Sequence, residues 1–251
     1  MLLRVAATGS AANLYVLDAG KESLILDAGL PIRKVLPYIR DFRTVSGCLV
    51  THEHGDHARG IRDLVQRGVD VYASTGTFRA WQESSQESAP LTGFKPLQPL
   101  SAVRVGGFTV LPFETQHDAA EPFGYLIRYE ETGESVLYAT DTYYLKYTFP
   151  GIRYWIVECN YCEEILAEEV NGGVLDAGLK TRLLESHMSL RHLKEALLAN
   201  DLSKTLKIVL VHLSDSRSDE QRMVKEIREA TGIETIAASN GMSIPLQLCP
   251  F

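Results

Sequence analysis

The sequence predicts an α/β protein made of two packed β-sheets with helices on their outer faces. Three observations carry this reading. Short β-type runs bounded by turn signals recur through residues 2–157. Helical periodicity dominates after residue 162, interrupted by one apolar run at 206–211. No internal repeat and no linker divides the chain, so residues 1–251 are expected to form one domain.

Residues 2–6, 14–17 and 23–26 read as strands, the last two joined by the turn Asp18-Ala19-Gly20-Lys21. Residues 31–40 have helical spacing, with Ile32, Val35, Leu36 and Ile39 on one face. A buried strand at 45–50 precedes a helix at 57–67, whose Ile61, Leu64 and Val65 point inward. A strand at 69–73 and a helix at 75–81 lead into a polar stretch, 82–93, read as an exposed loop. Gly106-Gly107 between alternating runs at 102–105 and 108–113 predicts a hairpin. Strands follow at 123–129, 136–139 and 154–157. Helices are expected at 163–170, 176–184, 190–199 and 218–230, and a strand at 206–211.

With 45% hydrophobic residues, the chain can bury a sizeable core. Its net charge of −7 and pI near 5.5 argue against broad electrostatic wrapping of nucleic acid but leave room for a local basic groove. Four cysteines in a chain of this length do not make a disulfide framework. Residues 1–9 are too short and interrupted for a signal peptide, and no apolar run approaches the roughly 18 residues of a membrane span. A cytoplasmic protein with no membrane partner is the expectation.

The densest chemistry is His52-Glu53-His54-Gly55-Asp56-His57, directly after the apolar Cys48-Leu49-Val50. Three imidazoles and a carboxylate at the end of a strand can be aimed at one or two divalent ions. Further donors stand just past other strand ends: His117 after Phe113, Asp141 after Ala139, and His212 after Val211. Of seven histidines, only His192 falls outside these places and the Ser186-His187-Met188-Ser189 stretch.

The hexapeptide followed by a lone His, a lone Asp and a late His resembles the metallo-β-lactamase fold superfamily. The likeness spans nearly the whole chain and implies a four-layer αβ/βα sandwich with a dinuclear metal site. It implies that His52, His54 and His117 bind one ion, that Asp56, His57 and His212 bind the second, and that Asp141 bridges them. Within the superfamily, Thr8-Gly9-Ser10-Ala11-Ala12-Asn13 is similar to the Gly-Ser-Ser-Gly-Asn-Ser opening of the RNase Z-related YycJ/WalJ branch, with Ala11 and Ala12 replacing Ser and Gly. Leu26–Leu30, His117–Pro122 and Val211–Ser214 resemble that branch as well. The same resemblance implies that His187 contacts phosphate and protonates the leaving oxygen.

Imidazole and carboxylate donors suit zinc first, with manganese or iron(II) as alternatives. Two such ions can activate water near neutral pH and neutralise charge on a phosphoryl oxygen. Asp56 can both ligate and orient the nucleophile, which makes Asp56 and His187 the expected catalytic residues. Asp27 and Glu158, which follow strands near the same edge, are candidates for supporting the ligands. The expected activity is a metal-dependent phosphodiesterase or nuclease acting on nucleic acid or a nucleotide. An ester, thioester or lactone hydrolase would use the same donors and is the alternative. A redox or non-catalytic metal protein is disfavoured, because His54 stands where redox relatives usually carry Glu and every expected ligand is present. Tyr143, Tyr144 and Tyr147 are candidates to stack on a base. Lys146, Arg153, Lys180, Arg182 and Arg191 are candidates for phosphate contacts. The oligomeric state is left open.

Overall fold

The structure, a computed structural model, describes residues 1–86, 92–173 and 177–246. They fall into two compact units. The first comprises Met1–Glu114, Ala119–Glu134 and Ser239–Phe251, and the second Thr115–Asp118 and Ser135–Ala238.

The first unit holds a seven-stranded mixed sheet. Its order is Ser243–Pro245, Leu2–Ala7, Leu14–Asp18, Ser23–Leu26, Val45–Leu49, Val71–Ser74, Phe94–Leu97. The first three pairings are antiparallel and the last three parallel. A parallel pair needs a crossover, and the segments after Ser23–Leu26, Val45–Leu49 and Val71–Ser74 supply them. Apolar residues of this sheet, such as Leu14, Ile25, Cys48 and Val71, bury against Val35, Ile61, Leu64 and Trp81 of the crossover helices. An antiparallel ribbon, Val103–Val105, Phe108–Glu114 and Phe123–Tyr129, completes this unit, with its tight turn at Gly106-Gly107 as expected.

The second unit holds parallel strands: Glu134–Ala139, whose first residue lies in the first unit, then Tyr154–Glu158, Lys207–Val211 and Glu234–Ala237. Residues 154–158 and 207–211 are buried throughout, as parallel strands covered on both faces require. Helices Glu163–Asn171, Ala177–Leu184, Leu190–Leu198 and Glu220–Thr231 belong to the same unit. Leu190, Leu193 and Leu197, spaced three and four apart, form the buried stripe of their helix.

Several expectations need correction. The helix at 31–40 is a single α-turn, Ile32–Val35, followed by a 3₁₀ turn, Leu36–Tyr38. Pro37 lacks the N–H that would continue the α-ladder. The helix at 57–67 is split into Gly55–Ala58 and Ile61–Gln66. Gly60 lies between them, where a Cβ would stand 2.4 Å from the Leu30 carbonyl oxygen. Residues 82–85, expected in a loop, continue the helix Thr75–Ser85, while 87–91 of that loop and Asp176 lie outside the described residues. Three strands are additional: Phe94–Leu97, Glu234–Ala237 and Ser243–Pro245. Among the described residues, no helix is long and apolar enough to cross a membrane.

Candidate functional site

In the first unit, the hexapeptide follows the strand Val45–Leu49, whose last three residues are buried, and turns at once into the helical turn Gly55–Ala58. This brings the rings of His52 and His54 to 4.6 Å, and those of His52 and His57 to 4.2 Å. His52 and His57 are buried. The turn is clamped by backbone bonds: Asn13 N donates to Asp56 O at 2.7 Å, and Ala28 N to His57 O at 2.7 Å. Gly29 makes this close approach possible, since a Cβ there would sit 1.7 Å from the Asp56 carbonyl oxygen.

Asp27 orients the imidazole of His57. Its Oδ2 accepts from His57 Nδ1 at 2.8 Å, and its Oδ1 accepts from Thr51 N at 2.8 Å and from Thr51 Oγ1 at 2.9 Å. With the proton on Nδ1, His57 presents Nε2, which lies 3.2 Å from Asp56 Oδ2. Asn13, fully buried, places Nδ2 3.0 Å from the same nitrogen. Thr51 Oγ1 also lies 3.0 Å from His52 Nδ1. Glu53, the hexapeptide residue outside the expected donor set, accepts from Ala120 N at 2.8 Å.

The second unit gathers its donors from four separate loops. Asp141 and His212 follow strands, His187 precedes the helix capped by Ser189, and His117 lies in the short segment 115–118. Glu158 organises them. Its Oε1 accepts from His187 Nδ1 at 2.7 Å and from His212 Nδ1 at 2.8 Å. Its Oε2 accepts from Thr142 N at 3.1 Å and Met188 N at 3.0 Å. Four donors occupy this buried carboxylate, so it serves as a positioning group and not as a metal ligand. Burial pushes the Glu158 pKa up, but the two imidazoles outweigh it and hold the carboxyl below its usual range. Burial opposes the charged form of His187; the charge and hydrogen bond of Glu158, helped by Asp141, reverse the balance and raise its pKa. For His117, burial wins and the pKa falls.

Asp141 completes the cluster. Thr140 Oγ1 donates to its Oδ2 at 2.8 Å. Its Oδ1 lies 3.6 Å from His187 Nδ1, 3.8 Å from His212 Nε2 and 3.9 Å from His117 Nε2. These separations are too long for hydrogen bonds. For His212 and His117 they match donors sharing one cation, because bonds of about 2.1 Å set neighbouring ligand atoms roughly 3–4 Å apart. His117 Nδ1 donates to Ser186 O at 2.9 Å. His57, His117 and His212 therefore all engage protein acceptors through Nδ1 and present Nε2, the arrangement a ligating histidine needs. The donor set fits divalent cations.

Asp27, Asp141 and His212 share a backbone peculiarity, with φ of 58°, 50° and 54°. Each stands just past a strand end in the left-handed region, which non-glycine residues seldom occupy. Strain of this kind gathers at sites that must fix a side chain.

The structure thus brings His52, His54, Asp56 and His57 together in the first unit. In the second it brings together His117, Asp141, His187 and His212. The sequence reading missed Thr51 and Asn160; the latter donates from Nδ2 to His212 O at 2.9 Å. Their places in the chain, one residue before His52 and two after Glu158, were the available signal. Tyr144, Lys146 and Tyr147 line a cavity of about 260 Å³ with Met188 and His192, and Tyr143 is not part of that lining. Arg182 and Arg191, two of the candidates for phosphate contacts, are ion-paired with Asp118 and Glu163. Cys159 and Cys162 are buried thiols whose pKa burial pushes up, as structural cysteines should be.

A family model described as a beta-lactamase superfamily domain matches residues 15–213. Exodeoxyribonuclease WalJ of Streptococcus pneumoniae is 28% identical, with 94% of this chain and 88% of that protein covered. Exodeoxyribonuclease YycJ of Bacillus anthracis is 30% identical over 84% of this chain and 81% of its own length. The crystal structure of the metallo-beta-lactamase fold protein YhfI from Bacillus subtilis matches with a TM-score of 0.72 and 19% identity, covering 97% of this chain and 98% of that one. The α/β sandwich expected from the sequence is therefore the fold found, two β-sheets flanked by helices. A donor set built for divalent cations at strand ends, a family model spanning most of the chain and relatives of similar length lead to one assignment: this chain is a member of the beta-lactamase superfamily, with the metallo-β-lactamase fold.

Proposed function

We propose that the protein is a metal-dependent phosphodiester hydrolase that degrades DNA. The observation that carries this is the Glu158-centred cluster. There one buried carboxylate keeps Asp141, His187 and His212 close together and fixes which nitrogen His187 and His212 present. The relatives named as exodeoxyribonucleases point to DNA as the substrate and to attack from an end.

His52, His54, Asp56 and His57 of the first unit and His117, Asp141 and His212 of the second would hold two divalent ions, zinc first and manganese or iron(II) as alternatives. Residues 1–251 would then act as one domain. Bound ions would supply a water acidic enough to attack phosphorus near neutral pH and positive charge to offset the phosphoryl oxygens. Asp56 orients the attacking water through its carboxylate. His187, held through Nδ1 by Glu158, carries a proton on Nε2 to the leaving oxygen. A location in the cytoplasm agrees with the free, buried cysteines.

The test is hydrolysis of bis(p-nitrophenyl) phosphate and of end-labelled single- and double-stranded DNA by purified protein, beside a thioester and a lactone. Phosphodiester cleavage that a chelator abolishes and zinc or manganese restores is the expected result. Cleavage of the thioester or lactone alone would overturn the proposal in favour of ester hydrolysis.

A further inference from the structure

The first unit carries a groove of about 580 Å³ whose charge is opposite to that of the protein as a whole. Arg33, Lys34 and Arg59 line it, together with Thr8, Tyr38 and Asn240, and its lining contains no carboxylate. All three cations are exposed. None forms an ion pair among the described residues. Several basic side chains elsewhere are neutralised: Arg4 pairs with Asp18, Arg43 with Asp41, Arg217 with Glu169, and Arg222 with Glu164 and Glu226. On a chain of net charge −7, three unneutralised cations around one groove make a local field for anions.

The placement is specific. Arg59 caps the helical turn Gly55–Ala58 that carries Asp56 and His57. Thr8 and Ala12 belong to the loop that ends at Asn13, whose side chain touches His57. Arg33 and Lys34 lie on the short helix Ile32–Val35 beyond them. Asp63, the carboxylate at the start of that helix, accepts from Ile32 N and is not part of the lining. The cations therefore extend away from the hexapeptide along one face of the first unit.

We propose that this groove is the track for the phosphodiester backbone of a single DNA strand, holding nucleotides beyond the one being cleaved. The assignment rests on the phosphodiesterase reading above and adds to it where the rest of the strand lies. Phosphates would be matched by Arg59, Arg33 and Lys34 as charges without base readout. Tyr38, half-buried at the groove, offers a ring on which one base can stack.

The experiment is a salt titration of binding by the full chain, using a fluorescent phosphorothioate oligothymidylate that resists cleavage. R33E/K34E is compared with the native protein and with K225E, a charge reversal on the exposed helix Glu220–Thr231. Circular dichroism melts confirm that all three are folded. The native protein should lose affinity steeply with salt. R33E/K34E should bind about tenfold or more weakly at low salt and show a log–log slope smaller by about one to two units. K225E should follow the native curve. An R33E/K34E slope equal to the native one overturns the groove assignment. If the native protein then still hydrolyses bis(p-nitrophenyl) phosphate, the phosphodiesterase reading survives that loss. A flattened slope in a protein inactive on that ester keeps the groove as a nucleic-acid surface and removes the hydrolase reading instead.

Discussion

The donors of the first unit come from one hexapeptide, while those of the second come from four loops that are distant in sequence. Two building principles follow. In the first unit, local turn geometry places the side chains and the backbone clamps the turn through Asn13 and Ala28. In the second, no local motif exists, and one buried carboxylate, Glu158, ties three of the four loops together. The first arrangement is vulnerable to steric change in the backbone. The second is vulnerable to loss of a single acceptor.

The largest effect should come from Gly29→Ala, which tests the backbone clamp. Its new Cβ would meet the Asp56 carbonyl oxygen at 1.7 Å, so the turn must open. The expected destabilisation is about 3 kcal/mol or more, a fall in Tm of roughly 6–12 °C, with reduced metal content. A melt within 2 °C of the native protein, on the order of 1 kcal/mol, would remove the clamp from the account.

His187→Ala should lower kcat on a phosphodiester by about 10²–10⁴-fold while metal content stays native. Loss of metal in that variant would recast His187 as a ligand. Next comes the paired comparison of Glu158→Gln with Asp27→Asn. Each amide keeps the shape but accepts at only one atom. Glu158 serves two imidazoles and Asp27 one. Glu158→Gln should therefore cost more, on the order of 100-fold in metal affinity or activity against about 10-fold for Asp27→Asn. Equal losses in elemental analysis and rate would break the contrast between the two units.

The smallest effect provides a control. Arg4 Nη2 donates to Asp18 Oδ2 at 2.8 Å in the first unit. Burial pushes the Asp18 pKa up, but the Arg4 bond and charge and the Gly20 amide hold it below 3.8. A depressed folded pKa means the pair stabilises fully above pH 3.8 and loses that contribution as pH falls through the lowered value. The pair is partly solvated, so Arg4→Ala should cost no more than about 1 kcal/mol at pH 7 and less in strong acid. Denaturant melts at the two pH values measure this, and a constant difference between them would contradict it.

The comparison also explains what could be read from the chain. The hexapeptide was legible because its information is contiguous. His117, Asp141 and His212 were legible because each follows an apolar strand. The three strands that escaped detection, Phe94–Leu97, Glu234–Ala237 and Ser243–Pro245, each end a row of strands. Edge strands tolerate proline and polar residues, and Pro96, Lys95 and Pro245 erase the alternating pattern. The breaks at Pro37 and Gly60 were visible as residues but were overruled by helical spacing on both sides. Glu158 was legible as a candidate but not as an organiser, because its four partners are contributed by three other loops.

Asp27, Asp141 and His212 hold conformations in which glycine would rest more comfortably. Natural selection acting on folding alone would favour small flexible residues at all three places. Their presence here marks them as positions where the protein trades robustness for work. A lineage released from its reaction should lose these three before it loses the apolar strands that lead to them.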